Sequence, residues 1–147
     1  EYGNLIWGPH FITDQREIER VQRAATRLVP ELRGMEYEER LKKLKLPSLQ
    51  YRRRRGDMIQ VFKIMQGIDR IPKDIFFTMR DDGRTRGHPY KIRKPIARKK
   101  CRQDSFSVRV VNDWNSLPDD VVNATTLNQF KNKLDSHWMR DKYRPPA

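Results

Sequence analysis

The sequence predicts a mainly α fold, a helical bundle with a small β-hairpin in a basic segment. Two patterns carry that expectation. Apolar residues recur at helical spacing between Pro, Gly and Ser/Thr/Asp boundaries. Between residues 88 and 93, His88, Tyr90 and Ile92 instead alternate with Lys91 and Arg93, the two-residue period of a strand. The 147 residues suit one domain with a real core. Its parts are a helical half (1–78), a basic hairpin or loop (79–104) and C-terminal helices (105–147).

Taken in order, Leu5, Ile6, Trp7, Phe11 and Ile12 form an apolar lead-in interrupted by Gly8 and Pro9. Thr13 or Asp14 then caps a helix, with Asp14 and Glu17 in capping-box spacing. Ile18, Val21, Ala25 and Leu28 are expected to face inward, and Pro30 and Gly34 to end it. A short helix follows with Tyr37, Leu41 and Leu44 inward, acids leading and lysines trailing as the helix dipole favours. Pro47 opens the longest helix, Ser48 to Gln66, stopped by Gly67, with Leu49, Met58, Ile59, Phe62 and Met65 as its buried stripe. Gly56 inside it costs about 1 kcal/mol relative to Ala. Ile75 and Phe76 are the expected anchors of the next turn. In the block Ser105 to Pro118, Phe106, Val108 and Val110 alternate, but Val110, Trp114 and Leu117 keep helical spacing, which favours a helix capped by Ser105. Pro118 breaks it, Asp119 and Asp120 start one more turn, and Thr126 caps a last helix striped by Phe130, Leu134 and Trp138. The tail from Arg140 is expected to fray.

Charge narrows the function. Lys and Arg number 32 against 19 Asp and Glu, a net of +13, and charged residues make up 35% of the chain, against about a quarter in ordinary domains. From Arg80 to Arg102 there are ten Lys or Arg against two Asp, a net of +8 in under a sixth of the chain. Clustering of that kind points to a polyanion, above all a nucleic acid, rather than to a merely soluble surface. No stretch approaches the ~20 apolar residues of a membrane span. Cys101 is the sole cysteine, so no internal disulfide forms. The opening Glu1-Tyr2-Gly3 reads as the interior of a longer chain, so missing targeting signals carry little weight.

Catalytic motifs are not legible. The Asp81-Asp82 and Asp119-Asp120 pairs lack the setting of a two-metal polymerase site and read as a turn and a helix start. His10, His88, His137 and Cys101 have no zinc spacing, and neither a phosphate loop nor a nucleophile elbow is present. No catalytic residue, metal or cofactor is therefore assigned. The candidate nucleic-acid-binding residues are Arg84, Arg86, Lys91, Arg93, Lys94, Arg98, Lys99, Lys100 and Arg102, which neutralise phosphates. His88 and Tyr90 are placed to stack on unpaired bases, and Arg53 and Arg54 come from the run Arg52 to Arg55. That run surrounds one helical turn, so at least one arginine is expected to pair with an acid on the body. Interleaved His88 and Tyr90, without a duplex-reading motif, favour RNA over DNA. Ile92 is expected to pin the segment to the core, and Trp114 to be core.

Four blocks follow one another in a familiar order: EYGNLIWGPH, EIERVQRAATRLVPELRGMEYEERLKKLKLPSLQYRRRRGDMIQVFKIMQG, FFTMRDDGRTRGHPYKIRKP and SFSVRVVNDWNSLPDDVVNATTLNQFKNKLDSHW. Over nearly its whole length the chain resembles the region downstream of the palm in LINE-type, non-LTR retrotransposon reverse transcriptases of the jockey and chicken-repeat groups. The resemblance implies thumb-like and C-terminal elements of an RNA-directed DNA polymerase, acting in the nucleus and cytoplasm beside an upstream polymerase domain. Arg84, Arg86, His88, Tyr90 and Lys91, with Arg109 and Trp114, match the family pattern. The catalytic palm, an endonuclease and any Cys-His knuckle are absent from these residues, so the implied role is template handling. A scaffold that braces the palm, or a domesticated derivative, are the alternative readings.

Overall fold

The computed structural model describes residues 3–81 and 87–146, and not the side chain of Trp7. The helices are α1 (Asn4–Trp7), α2 (Ile12–Arg27), α3 (Tyr37–Leu44), α4 (Leu49–Met65), α5 (Lys100–Gln103), α6 (Phe106–Ser116), α7 (Asp119–Val122) and α8 (Leu127–His137), with 3-10 turns at Pro30–Leu32 and Lys73–Ile75.

Everything else is laid around α4. Its first turn is doubly capped: the Ser48 hydroxyl accepts from the Tyr51 N–H at 3.2 Å, and the Glu19 carboxylate accepts from Leu49 and Gln50. Gly67, at φ 66°, takes the left-handed conformation just beyond its end. α4 buries Tyr51, Met58, Val61, Phe62 and Ile64 against α6 and α8, while α2 and α1 pack on it from elsewhere. Phe62 stacks on Phe130 at 4.2 Å, and Trp114 lies 6.2 Å from Phe130, so three helices meet at one aromatic cluster. Removing such a ring costs about 3–5 kcal/mol. α3, α6, α7 and α8 stand where the periodicity predicts them, and the Thr126 hydroxyl caps α8 through the Gln129 N–H. The Glu36–Glu39 pair forms a reciprocal capping box at α3.

Five expectations are corrected. α2 begins at Ile12 without a side-chain cap from Thr13 or Asp14, and it is rotated from its predicted orientation. Val21 and Leu28 are 71% and 79% exposed, whereas Glu19 and Thr26 are buried. Hydrogen bonds set that rotation. Tyr37 Oη donates to Glu19 at 2.6 Å, Gln22 Nε2 to the Pro47 carbonyl at 3.0 Å, Gln15 Nε2 to the Pro9 carbonyl at 3.1 Å, and Arg40 Nε to Thr26 at 3.2 Å. The lead-in is one helical turn whose Ile6 is exposed, with Phe11 and Ile12 also exposed, and the Trp7 side chain lies outside the described residues. Phe77, not Ile75 or Phe76, is the buried anchor of its turn. The tail does not fray at its start: Ser48 N–H donates to the Lys142 carbonyl at 3.0 Å, and Pro146 is buried.

The predicted β-hairpin is the fifth correction. Among the described residues no strand forms, only an isolated antiparallel bridge between Met79 and Ile92, flanked by Arg80 N–H to Lys91 O and Arg93 N–H to Thr78 O. Pro89 and Pro95 bracket that bridge and have no N–H to extend a ladder.

The longest helix also carries a testable glycine. A Cβ built at Gly56 meets only Asn4 Nδ2, at 3.9 Å, an ordinary contact. Gly56→Ala is therefore expected to stabilise the fold by about 0.5–1 kcal/mol, read as a higher urea midpoint at unchanged slope. A lowered midpoint would show that α1 needs the bare backbone.

Candidate nucleic-acid interface

The basic segment is held by one face of α6. Trp114 is fully buried, and its Nε1–H donates to the Tyr90 carbonyl at 2.8 Å. The Trp114 carbonyl in turn accepts from His88 Nε2 at 3.1 Å. A carbonyl can only accept, so the contact requires the proton on Nε2. At the next residue of α6, the Asn115 amide grips Ile92 at both ends: Ile92 N–H donates to Oδ1 at 2.9 Å, and Nδ2 donates to the Ile92 carbonyl at 2.8 Å. A side chain thus supplies the pairing that a second strand would have given. Ile92 is buried beneath this clamp, and Lys94 Nζ donates to Asn112 Oδ1 at 3.2 Å.

The clamp leaves an open groove of about 510 Å³ between the Met79–Ile92 bridge and α6. Arg80, Arg93, Lys94, Asn112 and Asn115 surround it, over Ile92 and Val111. That is room for a phosphate and its sugar among cations and amides. Arg93, Lys94, Arg98, Lys99, Lys100 and Arg102 are all exposed, the last two on the single turn α5. Lys100 lies 3.3 Å from Asp104, the lysine exposed and the carboxylate largely buried. Lys91 is half-buried, its side chain over Gly87, where any Cβ would approach Lys91 Cε to 2.8 Å. Tyr90 is 39% exposed, with its carbonyl tethered to Trp114. Arg84 and Arg86 lie outside the described residues.

Two predicted contacts are corrected. His88 is 2% exposed and packs edge-on against Trp114, so it braces the segment and offers no face to a base. Arg54 is held at 3.0 Å through both Nε and Nη2 by Asp113 and lies 3.6 Å from Asp141, its guanidinium 4.5 Å over the Trp138 ring. Arg53 is half-buried on a cleft where Arg54 and Arg109 stand beside Asp57, Asp104 and Asp113. Arg55 is likewise bidentate to Asp135, which also accepts from Tyr51 Oη at 2.7 Å. The arginine run is chiefly a set of struts from α4 to α6 and α8. Burial alone would raise the Asp135 carboxyl, but the Arg55 and Tyr51 hydrogen bonds hold it below the usual range.

Residues that the sequence pattern did not single out complete the frame. Asp57 accepts from Arg109 Nε and Nη2 at 2.9 and 3.0 Å, and Arg109 also donates to the Asn4 and Asp104 carbonyls. Arg109 thereby ties α1, α4 and the approach to α6. Only its place in the SFSVRVVNDWN block marks it in the sequence. Among the described residues, no group of three or more His, Cys, Asp or Glu could hold a metal, and no helix is long and apolar enough to cross a membrane. Asp119 and Asp120 occupy the first turn of α7, as predicted. No protein family, curated protein or solved structure matches the chain.

Burial, more than the nearby Lys91 charge, pushes His88 below its ordinary value of 6.5, partly offset by the Trp114 carbonyl. The folded state therefore favours the neutral ring. Stability is complete above about pH 6.5 and falls as the pH drops through the interval down to the depressed folded value. His88→Gln keeps a donor for Trp114 but cannot titrate. Urea midpoints between pH 7.5 and 5.5 should decline for the parent chain and flatten for the variant. An equal decline in both would assign the pH dependence elsewhere.

Proposed function

We propose that this chain is a nucleic-acid-binding module, not catalytic on its own, that handles the RNA template of a LINE-type retrotransposon reverse transcriptase. The reading joins the sequence resemblance to one observation. Six exposed cations, Arg93, Lys94, Arg98, Lys99, Lys100 and Arg102, follow one another along a segment whose start is pinned to α6. Such an array gains affinity by releasing counterions from phosphates. RNA is favoured over duplex DNA because Tyr90 stands half-open beside Lys91 and Arg93, where an unpaired base can stack. With His88 buried, that preference rests on Tyr90. The upstream polymerase domain is the expected protein partner, and the nucleus and cytoplasm the expected compartments.

The second reading, a scaffold that braces the polymerase, is favoured by the exposed apolar side chains Ile6, Val21 and Leu28. Fluorescence-anisotropy titrations with single-stranded RNA, hairpin RNA and duplex DNA at 50 and 200 mM salt separate the two. Lys99→Gln with Lys100→Gln and Arg102→Gln should weaken binding to all sequences alike. It should also lower the slope of log K against log salt by about 2 on single strands, near 0.7 for each phosphate no longer neutralised. Unchanged affinity and slope would remove these residues from the interface. Absence of binding by the parent chain at 50 mM salt would favour the scaffold.

A further inference from the structure

Helix α2 carries a second array of cations that none of the foregoing uses. Arg16, Arg20, Arg23 and Arg27 are spaced four, three and four residues apart, so they form one ridge along the helix. All four are exposed. The rotation of α2 puts them there: its polar side chains Gln15, Glu19, Gln22 and Thr26 make the contacts with the body, and the arginines line the adjoining flank.

That flank is distinct from the basic segment. Asp14, Glu17 and Ile18 share an open cleft with Cys101 and Asp104 of the α5 region. Arg16, Arg20 and Arg23 instead line a separate cleft of about 330 Å³ with Glu17, Glu19 and Pro146 of the docked tail. The carboxylates nearest Arg20 and Arg23 do little to cancel them. Glu19 is buried and turned to the backbone N–H groups of Leu49 and Gln50 and to Tyr37. Glu17 lies 3.3 Å from Arg20, but both are well exposed, so the pair is weak and yields to a stronger anion. Arg23 lies 4.9 Å over the Tyr37 ring, a contact that orients the guanidinium while leaving its edge N–H groups for a ligand.

We infer that the α2 arginine ridge is a second phosphate-binding surface, which takes the backbone of a base-paired RNA stem. The inference rests on the nucleic-acid reading above and adds to it where, and in what form, the RNA is held. Arg16 to Arg27 span about 16 Å of helix, long enough to follow several consecutive phosphates of one strand. Neighbouring arginines stand about 5–6 Å apart at Cβ, close enough for successive guanidiniums to meet successive phosphates. No aromatic side chain belongs to the ridge, and Tyr37 is covered, so it has nothing on which to stack an unpaired base. The basic segment, with Tyr90, suits a single strand; the ridge suits a stem. A hairpin with a single-stranded flank can engage both.

The test compares the parent chain, Arg20→Gln/Arg23→Gln/Arg27→Gln, and Arg20→Lys/Arg23→Lys/Arg27→Lys by anisotropy titration from 50 to 200 mM salt. The probes are a hairpin RNA with a single-stranded flank, and the flank alone. On the flanked hairpin the Gln variant should lower the salt slope by about 2.5, so that its affinity falls roughly thirtyfold less across that range. The Lys variant should restore the parent slope, since it keeps the charge. On the flank alone all three chains should behave alike. A Gln variant that keeps the parent slope on the hairpin overturns the ridge while leaving the nucleic-acid reading intact, and so does an equal loss on both probes. A parent chain that binds neither probe at 50 mM salt overturns the nucleic-acid reading itself. Far-ultraviolet circular dichroism of each variant verifies that the exposed substitutions leave the helices formed.

Discussion

The hydrogen-bonded grip of α6 on residues 88–92 is the constraint on which the rest depends. A segment with a net charge of +8 between Arg80 and Arg102 repels itself and has little apolar surface to bury. Four groups hold it down: the Trp114 indole N–H on Tyr90, the Trp114 carbonyl on His88, and both ends of the Asn115 amide on Ile92. Each acts on backbone or on a buried ring, and of the cations Lys94 adds a bond to Asn112 of α6. Burial of Ile92 under the clamp adds the apolar contribution. Position and charge are thereby supplied by different atoms of the same segment.

The arginines of α4 follow the opposite rule. Arg54, Arg55 and, from α6, Arg109 each meet a carboxylate in two-pronged geometry, joining α4 to α6, α8 and α1. Guanidinium suits that task because its fixed fork matches a carboxylate. One composition thus serves two ends. Arginines opposite Asp57, Asp113 and Asp135 fasten helices, while Arg20, Arg23 and Arg27 of α2 and Arg98 and Arg102 around α5 are exposed. Charge counting does not separate these groups; the acids across the fold do.

Helices were legible wherever an apolar stripe met a defined stop. α4 lies between its Ser48 cap and Gly67, although of its expected stripe only Met58 and Phe62 are fully buried, and α8 follows its Thr126 cap with Phe130, Leu134 and Trp138 inward, where cap, spacing and burial agree. The orientation of α2 departs from its apolar pattern because its anchoring is polar: Glu19 reaches the start of α4, and no periodicity of hydrophobic residues encodes that. The hairpin does not form for a related reason. Residues 88–93 have the alternation of a strand, but their pairing stops at the single Met79 bridge, and Asn115, more than twenty residues away, takes the other edge of Ile92. Within the candidate interface, exposure of Arg93 to Arg102 followed from composition. The burial of His88 did not, since a histidine between cations gives no local sign of the tryptophan carbonyl it meets.

Native-state hydrogen exchange at the Ile92 amide tests the clamp most directly, because this N–H has Asn115 Oδ1 as its acceptor. Protection close to that of the buried α6 amides in the parent chain, lost in Asn115→Ala while α4 and α8 stay protected, is the predicted result. Exchange of the Ile92 amide at the rate of an unstructured loop in the parent chain would contradict the account.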